Sequence, residues 1–183
     1  MKRELTTERL QLRQWKEEDA RMLYEFAKSP EIGPVAGWPV HTDVENSRQI
    51  IRDVLSKEGT YAVVFKEENI PVGSAGLMIG EAGNLALNDE EAEIGYWIGV
   101  PYWGRGLIPE AVRELMRYAF EELGLKKLWC IYYDGNEKSW RVQQKCGFTY
   151  VRTEVDQDVP LLGEKKTEHI TCISKEEWLK SKI

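Results

Sequence analysis

The sequence predicts an α/β fold built on a mixed sheet, and three observations carry that expectation. Alternating or β-branched apolar runs mark about seven strands, apolar stripes at a period of 3.6 mark the helices, and the elements follow in the order β-α-α-β-β-β-α-β-α-β-β. Hairpin-type neighbours therefore sit beside a strand-helix-strand unit, which mixes antiparallel with parallel pairing. A single domain, residues 1–183, is expected: 42% of the residues are hydrophobic and 31% charged, and no repeat, low-complexity stretch or Pro/Gly/Ser linker marks an interior boundary.

Leu10 to Trp15 alternates as a half-buried strand, and Glu17 to Lys28 sets Ala20, Leu23, Tyr24 and Ala27 on one helical face. Thr42, with Glu45 three residues on, has capping-box spacing, and the helix it opens carries Ile50, Ile51, Val54 and Leu55 inward before stopping at Gly59. Tyr61 to Phe65 and Pro71 to Ile79 flank Lys66-Glu67-Glu68-Asn69, the pattern of a hairpin with a charged turn. Gly80 to Glu91 is polar and reads as loop, and Ala92 to Val100 as a strand. Ile108, Ala111, Val112, Leu115, Met116, Ala119, Phe120 and Leu123 make one helical stripe, with Pro109 in its first turn and Gly124 at its C-terminal cap. Lys127 to Tyr133 is a strand, Glu137 to Lys145 a short helix closed by Gly147, and two strands follow at Phe148 to Val155 and Glu168 to Ser174.

A net charge of −6 argues against a nucleic-acid or anionic-membrane surface, so neither partner is expected. No apolar run approaches the roughly 20 residues of a membrane span, and the charged N-terminus has no apolar signal core, so a cytoplasmic enzyme is expected. Cys130, Cys146 and Cys172 are odd in number and far apart, which fits buried free thiols and predicts neither a disulfide framework nor a metal site. An anionic ligand would have to be held locally, and Arg105, Lys138, Arg141 and Lys145 fall in the two segments suited to it.

The first of these is Tyr102-Trp103-Gly104-Arg105-Gly106-Leu107-Ile108, which joins a strand to an amphipathic helix. Glycines let the backbone approach a phosphate, and free N–H groups converge there with the positive end of the helix dipole. Pro109 has no N–H, so Gly104, Arg105, Gly106, Leu107 and Ile108 are the candidate donors, with the Arg105 guanidinium as added charge. By spacing alone, a tight strand-to-helix turn explains Gly-x-Gly as well as phosphate binding does. Leu107-Ile108 stands where a Walker A loop needs Lys-Ser/Thr, and Pro109 where a Rossmann turn needs a third small residue.

With these residues in view, the chain resembles the GNAT superfamily of acyl-CoA N-acyltransferases. The family's cofactor motif, Gln/Arg-x-x-Gly-x-Gly/Ala, aligns over Trp103 to Ile108, with Trp103 for Gln/Arg and Ile108 for Gly/Ala. Three further segments are similar to the ribosomal-protein serine/alanine N-terminal acetyltransferase branch, RimJ/RimL-like, and occur in the same order: Leu5-Thr-Thr-Glu-Arg-Leu-Gln-Leu-Arg13, Ala92-Glu-Ile-Gly-Tyr-Trp-Ile98, and Asn136-x-x-Ser139-x-x-Val142-x-x-Lys145-x-Gly147-Phe148. The resemblance is weakest over residues 29 to 60 and 80 to 91. It implies a mostly antiparallel central sheet with helices on both faces, splayed between the family's fourth and fifth strands. It also implies acetyl-CoA as cofactor and a primary amine as acceptor, either a protein N-terminus or a small molecule such as a polyamine or antibiotic.

Acetyl transfer needs a neutral amine, an oxyanion donor and a leaving thiolate. Glu93 is the candidate base, against the alternative of an edge-facing acid in the Asp89-Glu90-Glu91-Glu93 cluster. By resemblance, the Ile98 N–H faces the thioester oxygen, and Gly99 and Val100 run along the pantetheine. The tyrosine that many members place four residues before the Gly-Phe pair is Gln143 here, so the resemblance passes the acid role to Ser139 and gives Asn136 a hydrogen bond to pantetheine. As plain helix chemistry, Asn136 is an N-cap and Ser139 a first-turn residue. Arg141 and Lys145, with Lys138, are candidate contacts of the 3′-phosphate or adenine, or solvated helix charges. Trp38 and Tyr96 are the candidate acceptor-side residues, or core aromatics. Two other classes stay open: a CoA-binding or regulatory module with a degenerate site, and a nucleotide-dependent oxidoreductase. A homodimer through the C-terminal strands is also expected.

Overall fold

The computed structural model describes residues 3–181. They form two compact units, one of the residues up to Gly76 together with Tyr96–Glu114, the other of Leu77–Gly95 together with Leu115 onward. Eight strands make one mixed, mostly antiparallel sheet, against about seven expected. The additional strand is the two-residue β1, Leu5–Thr6.

In the first unit β1 pairs antiparallel with β2, Leu10–Arg13, and β2 with β3, Thr60–Phe65. The hairpin from β3 to β4, Ile70–Ile79, turns at the expected charged residues, where Asn69 takes φ 55, a conformation asparagine tolerates. A 3-10 turn, Glu17–Asp19, leads into α1, Ala20–Ala27, followed by α2, Gly33–Ala36, which has no counterpart in the sequence reading, and α3, Val44–Ile50. Their apolar faces close a core of Trp15, Ala20, Leu23, Ala27, Ile51, Ala62 and Val64.

Two expectations for α3 are corrected. Its N-cap is Asp43, whose carboxylate accepts the Asn46 N–H at 2.8 Å, and Thr42 instead gives its backbone N–H to the Asn46 side chain. Past Ile50 the helix widens into a π turn, Ile51–Leu55. The extra residue in that turn rotates the side chains beyond it about the helix axis, so Ile51 is buried while Val54 is 45% exposed.

The second unit holds the start of β5, Glu91–Ile98, then β6, Lys127–Tyr133, β7, Thr149–Val159, and β8, Glu164–Ser174. β6 runs parallel to β5 over Glu91–Lys127, Ala92–Leu128 and Glu93–Trp129, although both strands continue further. β8 pairs antiparallel with β6 along its length and with β7 on its other side, with bulges after Tyr150 and Glu154. Helix α4, Leu107–Arg117, buries the expected stripe as far as Phe120, but a π turn, Tyr118–Glu122, again shifts the phase. Leu123 is therefore 39% exposed, and Leu125 is buried instead. α5, Glu137–Lys145, lies where expected. α6, Lys175–Lys180, was not expected; a Ser174–Glu177 capping box starts it, and its Trp178 packs on Phe120. Cys130 and Cys146 are buried free thiols, and Cys172 is partly exposed. Among the described residues no helix is long and apolar enough to cross a membrane.

Candidate functional site

In the first unit the strand ends two residues earlier than the expected Val100. β5 stops at Ile98, and Val100–Tyr102 forms a 3-10 turn closed by Tyr102 N–H to Gly99 O at 2.9 Å and Trp103 N–H to Val100 O at 3.1 Å. Gly99 gives its own N–H to Val72 O at 2.8 Å. The indole of Trp103 reaches back to donate to Ile98 O at 3.0 Å, which fixes the exit of the strand. The chain then turns through Gly104 at φ 73 and Gly106 at φ 74, the left-handed region that a side chain penalises. Glu110 N–H closes the first helical bond on Gly106 O at 3.3 Å. The N–H groups of the first turn lie ahead of that bond and have no partner inside the helix, the usual basis of anion binding.

The Arg105 side chain is exposed and lies over two buried aromatic rings. Its guanidinium lies 4.7 Å from the Phe65 ring centre and 5.3 Å from that of Tyr102. The Tyr102 phenol donates to Glu68, and burial together with that carboxylate pushes it up to about 12, with Arg105 opposing. Arg105 thus stiffens the turn by cation–π packing. Trp38 joins an aromatic group with Trp97 at 5.8 Å, edge-on, and with His41 at 5.4 Å, while Trp15 stacks on Trp97 at 6.3 Å. His41 is buried, shares a hydrogen bond with Ser47 Oγ at 2.8 Å, and has its pKa lowered by that burial. Tyr96 is half-buried beside Trp97.

In the second unit Glu93 is 3% exposed. Its Oε2 accepts the Asn84 N–H at 2.7 Å and the Leu85 N–H at 3.1 Å, and Oε1 accepts the Asn84 amide at 2.9 Å. Gly83 closes over it so tightly that a Cβ there would stand 2.6 Å from Oε2. Two groups that the sequence did not single out feel its charge. Burial raises the pKa of Glu168, and the Glu154 and Glu93 carboxylates add to the effect; burial likewise raises Tyr133, with Glu168 and Glu93 adding. Register makes this cluster, since Tyr133 and Glu154 both pair with Glu168.

On α5, Asn136 caps the helix by accepting the Ser139 N–H at 3.1 Å. Gln143 is 1% exposed and donates to Ser139 Oγ at 3.2 Å and Ile131 O at 3.3 Å, while accepting from Thr171 Oγ1 at 2.8 Å. Lys138, Arg141 and Lys145 are exposed. The structure thus brings Ile98, Gly99, Val100 and Trp103–Ile108 together in one unit, with Trp38 and Tyr96. It places Glu93 and the α5 residues in the other.

The pattern of the acetyltransferase (GNAT) domain family matches residues 9–149. An uncharacterised N-acetyltransferase of Bacillus licheniformis, p20, is 34% identical over 129 residues, spanning 68% of this chain and 70% of the relative. A putative ribosomal N-acetyltransferase of Bacillus subtilis, YdaF, is 46% identical over 65 residues, 36% of each chain. The crystal structure of a GNAT-family acetyltransferase from Bacillus anthracis superposes with a TM-score of 0.81 at 21% identity, covering 95% of this chain and 99% of that one, a likeness of fold.

Proposed function

Because this chain belongs to the GNAT family of N-acetyltransferases, we propose that it moves the acetyl group of acetyl-CoA to a primary amine, with a protein N-terminal amine as the leading acceptor. The observation that carries the cofactor half is the pair of left-handed glycines, Gly104 and Gly106, opening α4. The family match runs through residues of both units and supports reading them as one acetyltransferase domain. The similarity to a putative ribosomal N-acetyltransferase supports the acceptor class.

In this reading the amine nitrogen attacks the thioester carbon, the C–S bond breaks and the thiolate leaves. The Ile98 N–H stabilises the oxyanion, a contact worth roughly 3 kcal/mol. Glu93 receives the amine proton through water, and Ser139 gives a proton to the departing sulfur. A CoA thiolate leaves readily without an acid, since its solution pKa is near ~8.5, so Ser139 assists without being indispensable. One observation favours a second reading of the base. Three donors already hold the buried Glu93, whereas Glu168 is less buried, and burial with the nearby Glu154 and Glu93 charges raises its pKa, which favours proton uptake.

The test is release of free thiol from acetyl-CoA in the presence of peptides with N-terminal Ser or Ala, polyamines or aminoglycosides, repeated with Glu93→Gln and Glu168→Gln. Peptide-dependent release abolished by Glu93→Gln supports the first reading. Loss confined to Glu168→Gln moves the base to that residue. CoA binding with no amine turned over makes the chain a cofactor-binding module.

A further inference from the structure

The turn between β1 and β2 grips the start of α4. Thr7 accepts the Leu10 N–H at 3.0 Å and donates to Glu110 at 2.5 Å. Arg9 gives its backbone N–H to Oε1 of the same carboxylate at 2.9 Å, and Nε at 2.7 Å and Nη2 at 2.6 Å to its Oε2, a pair converging on one oxygen that fixes the guanidinium plane. The remaining arm, Nη1, donates to the Arg105 carbonyl at 3.0 Å, in the middle of the glycine turn.

We propose that Arg9 is a positioning residue for the cofactor: braced by Glu110, it holds the Arg105 carbonyl and thereby turns the Gly106 N–H toward the pyrophosphate. The inference rests on the reading of the turn as a pyrophosphate site. Across a trans peptide the C=O and the next N–H point in opposite directions, so pinning the Arg105 oxygen fixes the aim of the Gly106 hydrogen. The constraint matters here because glycine accepts either sign of φ, and a peptide flip between Arg105 and Gly106 would otherwise be cheap. The effect is geometric, since the charge of Arg9 is neutralised by Glu110 at contact distance. Glu110 belongs to the same device: its N–H holds Gly106 O while its carboxylate holds Arg9, so both carbonyls flanking the Gly106 nitrogen are tied down. A lysine at position 9 keeps the charge but has no fork to bridge Glu110 and Arg105 O together.

The experiment compares acetyl-CoA with S-acetylpantetheine, which lacks the pyrophosphate, as acetyl donor for wild type, Arg9→Lys, Arg9→Ala and Glu110→Gln, with thermal unfolding to verify folding. Expected is a KM for acetyl-CoA raised about tenfold in Arg9→Ala, the loss of one well-placed hydrogen bond. The rise should be smaller in Arg9→Lys, kcat should stay within about twofold, and KM for S-acetylpantetheine should be unchanged; Glu110→Gln should follow Arg9→Ala in direction. Equal KM for acetyl-CoA in folded Arg9→Ala and wild type overturns the proposal, as does a parallel rise for both donors. If Arg9→Ala does not fold, Arg9→Lys and Glu110→Gln carry the same comparison. Failure of the wild type to bind CoA by calorimetry is a separate outcome and removes the underlying reading of the turn.

Discussion

The Gln143 amide donates to Ser139 Oγ at 3.2 Å, which ties the first turn of α5 to the centre of its own buried face. The other contacts of Gln143 reach Ile131 O on β6 and Thr171 on β8, so one side chain links a helix to two strands. Gln143 is thus a fully enclosed polar linker.

Replacing Gln143 with leucine should therefore lower stability. It removes the 2.8 Å acceptor of Thr171 Oγ1, leaving that hydroxyl its 3.2 Å bond to Cys130 O, and takes a donor from Ile131 O, a loss of about 1–3 kcal/mol. Denaturant titration at constant m-value checks it. Gln143→Tyr should also destabilise, because a site 1% exposed has no volume for a ring.

Glu93→Gln should leave the fold and CoA affinity nearly intact while turnover falls by roughly 10²–10⁴, the range of a lost general base. The glutamine oxygen can take the place of Oε2 under the Asn84 and Leu85 N–H groups, and the Asn84 amide can flip to meet the new NH₂. Steady-state kinetics beside calorimetry with CoA separate the two effects. Gly83→Ala should act in the same direction with a stability cost added, since its Cβ would collide with the carboxylate at 2.6 Å.

His41 should make the protein acid-sensitive. Its folded pKa is lowered by burial, so below about pH 6.5 the unfolded chain binds a proton that the folded chain resists. Its contribution is intact above that pH and lost as pH falls, at most ~1.4 kcal/mol per pH unit. Wild type should lose more stability than His41→Asn between pH 7.5 and 5.5 in parallel denaturation series.

The features legible in the sequence were local. Gly104 and Gly106, the Pro109 start of α4, the Asn136 cap and the Lys66–Asn69 turn all depend on residues a few positions apart, and each lies where expected. The misplacements of Val54 and Leu123 share a cause: a π turn inserts one residue and breaks the 3.6 period, with no composition signal of its own. Thr42 and Asp43 compete for one cap, and only Asp43 meets an N–H three residues on. The pairing of Tyr133 and Glu154 with Glu168 could not be found without the register of β6, β7 and β8, which depends on bulges in β7. Arg9 and Arg105 lie 96 residues apart, and no periodicity links them.

Calorimetric titration of CoA into wild type and Gly106→Ala bears most directly on the turn as the cofactor's anchor. Alanine at 106 meets no close neighbour, its Cβ lying 3.7 Å from Arg9, so what it loses is the left-handed φ of 74, worth about 1–2 kcal/mol. The expected result is saturable one-site binding to wild type and affinity about tenfold weaker in Gly106→Ala. Absence of saturable binding at millimolar CoA, or equal affinity in the two proteins, would contradict it.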